Sequence, residues 1–178
     1  MAEKKYKGRK AYLNDFHKNE KGDYEYQGIL YEWKGEEGTL CREMILLVGI
    51  GVVMLAALIL AGCVDAPGAI NCFYVVLPYT VSFIAGISMV WGMWRLLEGG
   101  NPLREYVYKA SVEQIPIRAI FTIIGAGAAI VGEIVYLIGH GFQGKSVKSM
   151  EFLLLESVVF VLAVILRKRV MVMPWKRQ

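Results

Sequence analysis

Charge is missing from long stretches of this sequence, and that absence sets the class of protein. No charged residue lies between Met44 and Cys63 or between Cys72 and Trp94. Uncharged apolar blocks of this length match helices that cross a bilayer. They do not alternate between apolar and polar residues, as the strands of a membrane barrel do. With 56% of its residues hydrophobic, the chain is also too apolar for an ordinary soluble domain.

The hydrophobic blocks predict an all-α integral membrane protein with a bundle of four transmembrane helices. The expected spans cover residues of about 44–63, 72–97, 115–138 and 149–166. A polar N-terminal segment (1–43) precedes the transmembrane domain (44–169), and a short tail (170–178) follows it. Pro78 lies inside the second span, where its missing N–H frees one backbone carbonyl and favours a kink.

Motifs of known chemistry are also lacking. The three cysteines form no Cys-x-x-Cys pair, and His17 and His140 fall on opposite sides of the expected bundle. Gly125 and Gly127 suggest a nucleotide-binding loop only superficially, because they lie inside an apolar span. We therefore expect no metal, no cofactor and no enzymatic activity. A membrane enzyme acting on lipids would have to use ordinary loop residues such as Glu98 and Glu105.

The basic residues are distributed very unevenly. Of the 20 Lys and Arg residues, all but Lys145 and Lys148 lie in the N-terminal segment, in the connection at 95–118 or in the C-terminal stretch at 167–178. Cytoplasmic segments of membrane proteins are enriched in Lys and Arg. This pattern predicts a cell-membrane protein with both termini in the cytoplasm. It also accounts for the net charge of +4, so no nucleic-acid partner is expected.

Two cytoplasmic segments carry local patterns. Aromatic residues at 24, 26, 31 and 33, interrupted by Gly28, favour equally a short strand or hairpin and an aromatic segment lying on the membrane. In the connection at 98–114, Asn101 as N-cap and Pro102 at the first helical position predict a short amphipathic helix. An irregular polar loop is the alternative.

Two carboxylates in the apolar spans, Glu133 and Glu156, are the candidate functional groups, with His140 near the same helix face as Glu133. Counted from the outer turn, both acids are expected at a similar depth on neighbouring antiparallel helices. A charged carboxylate in hydrocarbon costs roughly 2.5–3.5 kcal/mol even on lenient scales. Two that meet would repel each other, which favours a bound proton or cation.

Other roles for these acids remain open. Either could approach the outer headgroups, bond a hydroxyl on the second span or pair with a charge on a partner subunit. The available hydroxyls belong to Tyr79, Thr80, Ser82 and Ser88.

Small residues and cysteines complete the candidates. Gly125 with Ala129, and Ala128 with Gly132, are spaced for close helix packing. Cys63 and Cys72 flank the first outer turn, where a disulfide is possible.

The sequence therefore favours a non-enzymatic accessory or regulatory subunit of a membrane assembly. It would contact the lipid bilayer and either a protein partner or further copies of itself. The alternative function is a small proton- or cation-coupled transporter that uses the intramembrane carboxylates.

Overall fold

Four long helices dominate the computed structural model, which describes residues 13–19, 22–36 and 38–178. They are α1 (Thr39–Cys63), α3 (Phe73–Gly99), α5 (Gln114–His140) and α6 (Ser146–Met171). Within the described residues, these four are long and apolar enough to cross a membrane. The prediction of a mostly helical protein with four such helices is confirmed.

The helices extend beyond the predicted spans. Helix α1 begins at Thr39 instead of Met44, and α6 runs from Ser146 to Met171 instead of ending near residue 166. Hydropathy marks only the part of a helix that is apolar, whereas backbone hydrogen bonding continues through the polar residues at each end. The extra turns therefore place polar side chains at both ends of the bundle.

Apolar side chains cover the outside of the bundle as well as its core. Met54, Leu58, Met89 and Phe152 are fully buried between the helices. Ile84, Ile124 and Leu154, by contrast, are each at least 62% exposed. Continuous apolar surface of this kind is rare on soluble monomers. It fits a bundle whose outer surface is covered by lipid.

Helices α3 and α5 pack closely because small residues line their contact. A Cβ atom on Gly125 would lie 2.7 Å from the Pro78 carbonyl oxygen and 2.8 Å from the Ser82 backbone nitrogen. One on Gly132 would lie 2.9 Å from the carbonyl oxygen of Tyr74. Tyr74 is four residues before Pro78, so its carbonyl is the one that the proline leaves without a helical hydrogen bond.

The predicted small-residue pairs are thus only partly in this contact. Ala129 is buried together with Gly125 and Gly132, whereas Ala128 is exposed on the outside of α5. Residues four apart do not lie on quite the same side of a helix, so Ala128 lies outside the contact while Gly132 lies within it.

The link between α1 and α3, which is one of the two links predicted to be outer, contains a helix of its own. Pro67 and Gly68 form the start of α2 (Pro67–Asn71), with Pro67 in its first turn. Lys145 in the other outer link forms an ion pair with Asp65. The two outer links are therefore in contact.

Strands from three distant segments meet at the opposite end of the bundle. Strands β1 (Phe16–Lys18) and β2 (Tyr24–Tyr26) form an antiparallel hairpin. Strand β3 (Leu30–Trp33) lies between β4 (Leu103–Arg104) and β5 (Trp175–Arg177), and both pairings are antiparallel. Of the two equal alternatives for this segment, the structure shows strands on both sides of Gly28, but β2 and β3 pair with other strands and not with each other.

The predicted start of a helix at Asn101 is wrong. Leu103 pairs with Tyr31 in the sheet, and helix α4 (Glu105–Ala110) begins only after Arg104. Leu103 is fully buried. Pairing with β3 therefore holds this segment extended where the local pattern favours a helix.

Aromatic rings of the N-terminal segment pack against aromatic rings from distant parts of the same chain. The rings of Tyr31 and Tyr108 stack with their centroids 3.8 Å apart. Trp33 meets Trp175 edge to face at 5.4 Å. Hydrogen bonds donated by Lys34 and, to a smaller extent, by the Gln178 amide lower the pKa of the Glu32 carboxyl group. These contacts fix the C-terminal tail to the sheet.

The α3–α5 contact predicts a sharp difference between two neighbouring glycines. We expect Gly125→Ala to destabilise the protein by about 1–3 kcal/mol, because its methyl group would meet backbone atoms that cannot move independently. Gly127→Ala is the matched control, since its Cβ would lie 3.5 Å from the flexible Phe160 ring. Thermal unfolding in detergent measures both. Equal unfolding temperatures for the two variants would contradict the packing described here.

Candidate functional site

Glu156 is the most enclosed ionisable group of α6. Buried residues recur along this helix at three- and four-residue intervals, and Glu156 falls between Phe152 and Val159 in that series. Its side chain is 0% exposed. Neither carboxylate oxygen has a hydrogen-bond partner among the described residues. The acid therefore faces the interior of the bundle and not its outer surface.

Hydroxyl groups of α3 do not satisfy this carboxylate. Tyr79 lies near Glu156, but its hydroxyl donates to the Leu58 carbonyl at 2.8 Å. Thr80 and Ser82 donate to backbone carbonyls of their own helix, at 2.8 and 2.7 Å. Three of the hydroxyls expected as partners are thus engaged elsewhere.

Glu133 lies on the inward face of α5, near the outer end of the bundle. It is also 0% exposed. A Cβ atom on Gly68 of α2 would collide with its carboxylate, so a larger residue at position 68 would require the Glu133 side chain to move. The Ser149 hydroxyl and the backbone N–H groups of Gly68 and Ala69 lie beside the carboxylate.

These neighbours approach Glu133 without forming a hydrogen bond of ordinary geometry. Both of its carboxylate oxygens lack a partner among the described residues, and so does the buried Ser149 Oγ. Three buried oxygen atoms from α5 and α6 therefore face one small region with their hydrogen-bonding capacity unused. Buried polar groups normally have partners, so these oxygens mark a place for an added proton, water or cation.

The two carboxylates do not share one depth, contrary to expectation. Glu133 lies beside Ser149, which precedes Glu156 by seven residues of α6. Seven residues of helix span roughly 10 Å. The fourth span was expected to start at residue 149, but α6 begins at Ser146. The three additional residues account for roughly 4.5 Å of the separation, which is about half of it.

His140 does not complete a site with the two acids. It lies exposed at the end of α5, with its ring stacked on Tyr136 at 4.6 Å between centroids. The Tyr136 hydroxyl accepts a hydrogen bond from Gln143 at 3.0 Å. The imidazole therefore belongs to the outer surface of the bundle.

The cysteines are all free thiols in the structure. Cys63 is exposed and Cys72 is half-buried, at the two ends of the first outer link. The disulfide between them stays a prediction. Among the described residues, no group of three His, Cys, Asp or Glu side chains could hold a metal ion.

Sequence analysis missed Gly68 and Ser149 as parts of the site. Pro67-Gly68 signals a turn, but nothing in the sequence indicates that this turn folds back over Glu133. Serine is common near the start of a helix, so Ser149 is not conspicuous in the sequence. Its position seven residues before Glu156 relates it to the acids only when the packing of α5 against α6 is known.

Comparison of the chain with protein-family models, with curated proteins and with solved structures finds no match. The chemistry of the site must therefore be argued from its own geometry. When a carboxyl group is enclosed by apolar side chains and has no counter-ion, its bare anion is much less stable than its neutral form. Such a group can hold a proton or a small cation and can release it when water enters.

The enclosed carboxyl group of Glu156 predicts selective reaction with a hydrophobic carbodiimide, a reagent that attacks protonated acids. We expect dicyclohexylcarbodiimide to modify Glu156 in preference to Glu151, which is exposed on the same helix. Peptide mass spectrometry locates the adduct, and Glu156→Gln must remove it. Modification of Glu151 at an equal rate would contradict an enclosed, protonated Glu156.

Proposed function

We propose that the protein is a non-enzymatic, multi-pass membrane protein that carries protons or a small cation through its bundle. In this proposal Glu156 is the central binding group and Glu133 is the group nearer the outer side. The observation that carries the proposal is the Glu156 carboxylate, which is fully buried and has no partner among the described residues.

Burial favours this proposal over a role for the acids in subunit contact. A carboxylate that paired with a partner subunit would have to be accessible on the outer surface of the bundle. Glu133 and Glu156 are both 0% exposed and point inward. The aromatic segment at residues 24–33 is also partly used within the chain, where Trp33 packs on Trp175, and this leaves less of it for a partner.

The spacing of the acids supports stepwise transfer. Glu133 lies close to the outer links, beside Ser149 and α2. Glu156 lies roughly 10 Å deeper. Transfer over that distance needs transient water between the two carboxyl groups. Conserving the total charge during the step means that one acid accepts a proton as the other releases one.

The orientation belongs to the same proposal. The positive-inside tendency places both termini and the sheet in the cytoplasm of a cell membrane. It leaves Lys145 and Lys148 outside. Glu133 is then the acid that faces the external medium, and Glu156 is reached second by an entering proton.

Reconstituted protein tests the proposal directly. We expect purified wild-type protein in liposomes to pass protons when a membrane potential is imposed, measured with an enclosed pH indicator. Glu156→Gln should reduce this flux to that of empty liposomes, because the amide cannot exchange a proton. Glu133→Gln should slow the flux.

Glu151→Gln is the matched control, since Glu151 lies on the same helix but is exposed and pairs with Lys148. Its flux should equal that of the wild type. A sodium indicator in the same liposomes separates proton from cation transport. Wild-type flux no greater than that of empty liposomes would reject the proposal.

An accessory or regulatory subunit is the second candidate. Its support is the sheet, in which β4 and β5 are edge strands with β3 between them. An edge strand can pair with a strand of another protein. Extraction in mild detergent from the native host at native expression separates the two candidates. A stoichiometric partner would favour the subunit, whereas the transport proposal predicts recovery of the protein alone or with further copies of itself.

A further inference from the structure

An open groove lies where the sheet meets the ends of α1 and α6. Its volume is about 320 Å³, and its lining includes Trp33, Glu43, Arg169, Val172 and Met173. The groove is at the end of the bundle that carries the sheet and the C-terminus. Arg167, Lys168 and Arg169 lie at the same end.

Arg169 presents unused donors to this groove. Its Nη1 atom donates to both oxygens of Glu43, at 3.1 and 3.4 Å. The other guanidinium nitrogens form no hydrogen bond with the described residues. An arginine fork of this kind suits the oxygens of a phosphate group. Arg167 and Lys168 precede it and add positive charge.

The apolar part of the groove indicates where the phosphate group would come from. Val172, which lines the groove, is 80% exposed. Trp33 also lines the groove. Tryptophan beside exposed apolar residues and basic side chains is typical of the boundary between headgroups and acyl chains. A free anion would gain nothing from these apolar residues.

We propose that this groove binds the headgroup of an acidic phospholipid from the cytoplasmic leaflet, with its phosphate on Arg169 and its glycerol region against Val172 and Met173. The inference requires membrane insertion but does not depend on transport by the carboxylates. Glu43 competes with the phosphate for the same guanidinium group. The lipid therefore replaces part of the ion pair between Glu43 and Arg169.

Native mass spectrometry of the full chain in detergent, titrated with phosphatidylglycerol and with phosphatidylcholine, tests the proposal. We expect phosphatidylglycerol to bind preferentially. Arg169→Gln should weaken its binding about tenfold, as expected for the loss of charge-assisted hydrogen bonds. Glu43→Gln should tighten it, because the competing carboxylate is gone.

Two controls separate the groove from general attraction of positive charge. Lys168→Gln removes the same charge from an exposed neighbour and should weaken binding much less. The double variant Glu43→Gln/Arg169→Gln leaves the net charge unchanged but removes the guanidinium donors, so it should bind as weakly as Arg169→Gln alone. Unfolding temperatures establish that each variant is folded.

Four results would overturn the proposal. The first is equal binding of phosphatidylglycerol and phosphatidylcholine by the wild type. The second is equal loss of binding in Lys168→Gln and Arg169→Gln, and the third is wild-type binding by the double variant. The fourth is complete displacement of phosphatidylglycerol by millimolar inorganic phosphate, since that would identify a site for free anions.

Discussion

The cost of enclosing a carboxylate among apolar helices is the constraint on which the proposed function depends. Glu156 is surrounded on all sides, and the nearby Tyr79 hydroxyl donates to Leu58 instead. A bare negative charge there would cost several kcal/mol. The favourable states are those in which the group is neutral or bound to a cation. In the proposed function, the same constraint makes the bundle responsive to protons, because any change that admits water changes the charge the site can hold.

Close packing of α3 on α5 sets the geometry around that constraint. Gly125 and Gly132 bring α5 against the backbone of α3, and Gly132 lies against the carbonyl that Pro78 leaves without a helical bond. This contact fixes the rotation of α5 and turns Glu133 inward. On the outer side, Gly68 allows α2 to lie directly on the Glu133 carboxylate. Local backbone features thus determine what surrounds each acid.

Sequence analysis located the four helices because uncharged apolar blocks are a strong signal that needs no tertiary information. It also singled out Glu133 and Glu156, since acids inside such blocks are rare. It misjudged their relative depth because the polar start of α6 at Ser146 has no hydropathy signal. The sheet could not be predicted from the sequence for another reason. Leu103 and Trp175 pair with residues far away in the sequence, and local propensity favoured a helix after Asn101.

Infrared spectroscopy of the purified protein shows whether the Glu156 carboxyl group is protonated, and the proposed function depends on that state. A neutral carboxylic acid and a carboxylate absorb at well-separated frequencies. We expect a neutral-acid band at pH 7 in the wild type that disappears in Glu156→Gln and persists in Glu151→Gln. A wild-type spectrum that shows no neutral-acid band assignable to Glu156, with no cation bound in its place, would rule out an enclosed proton-binding carboxyl group.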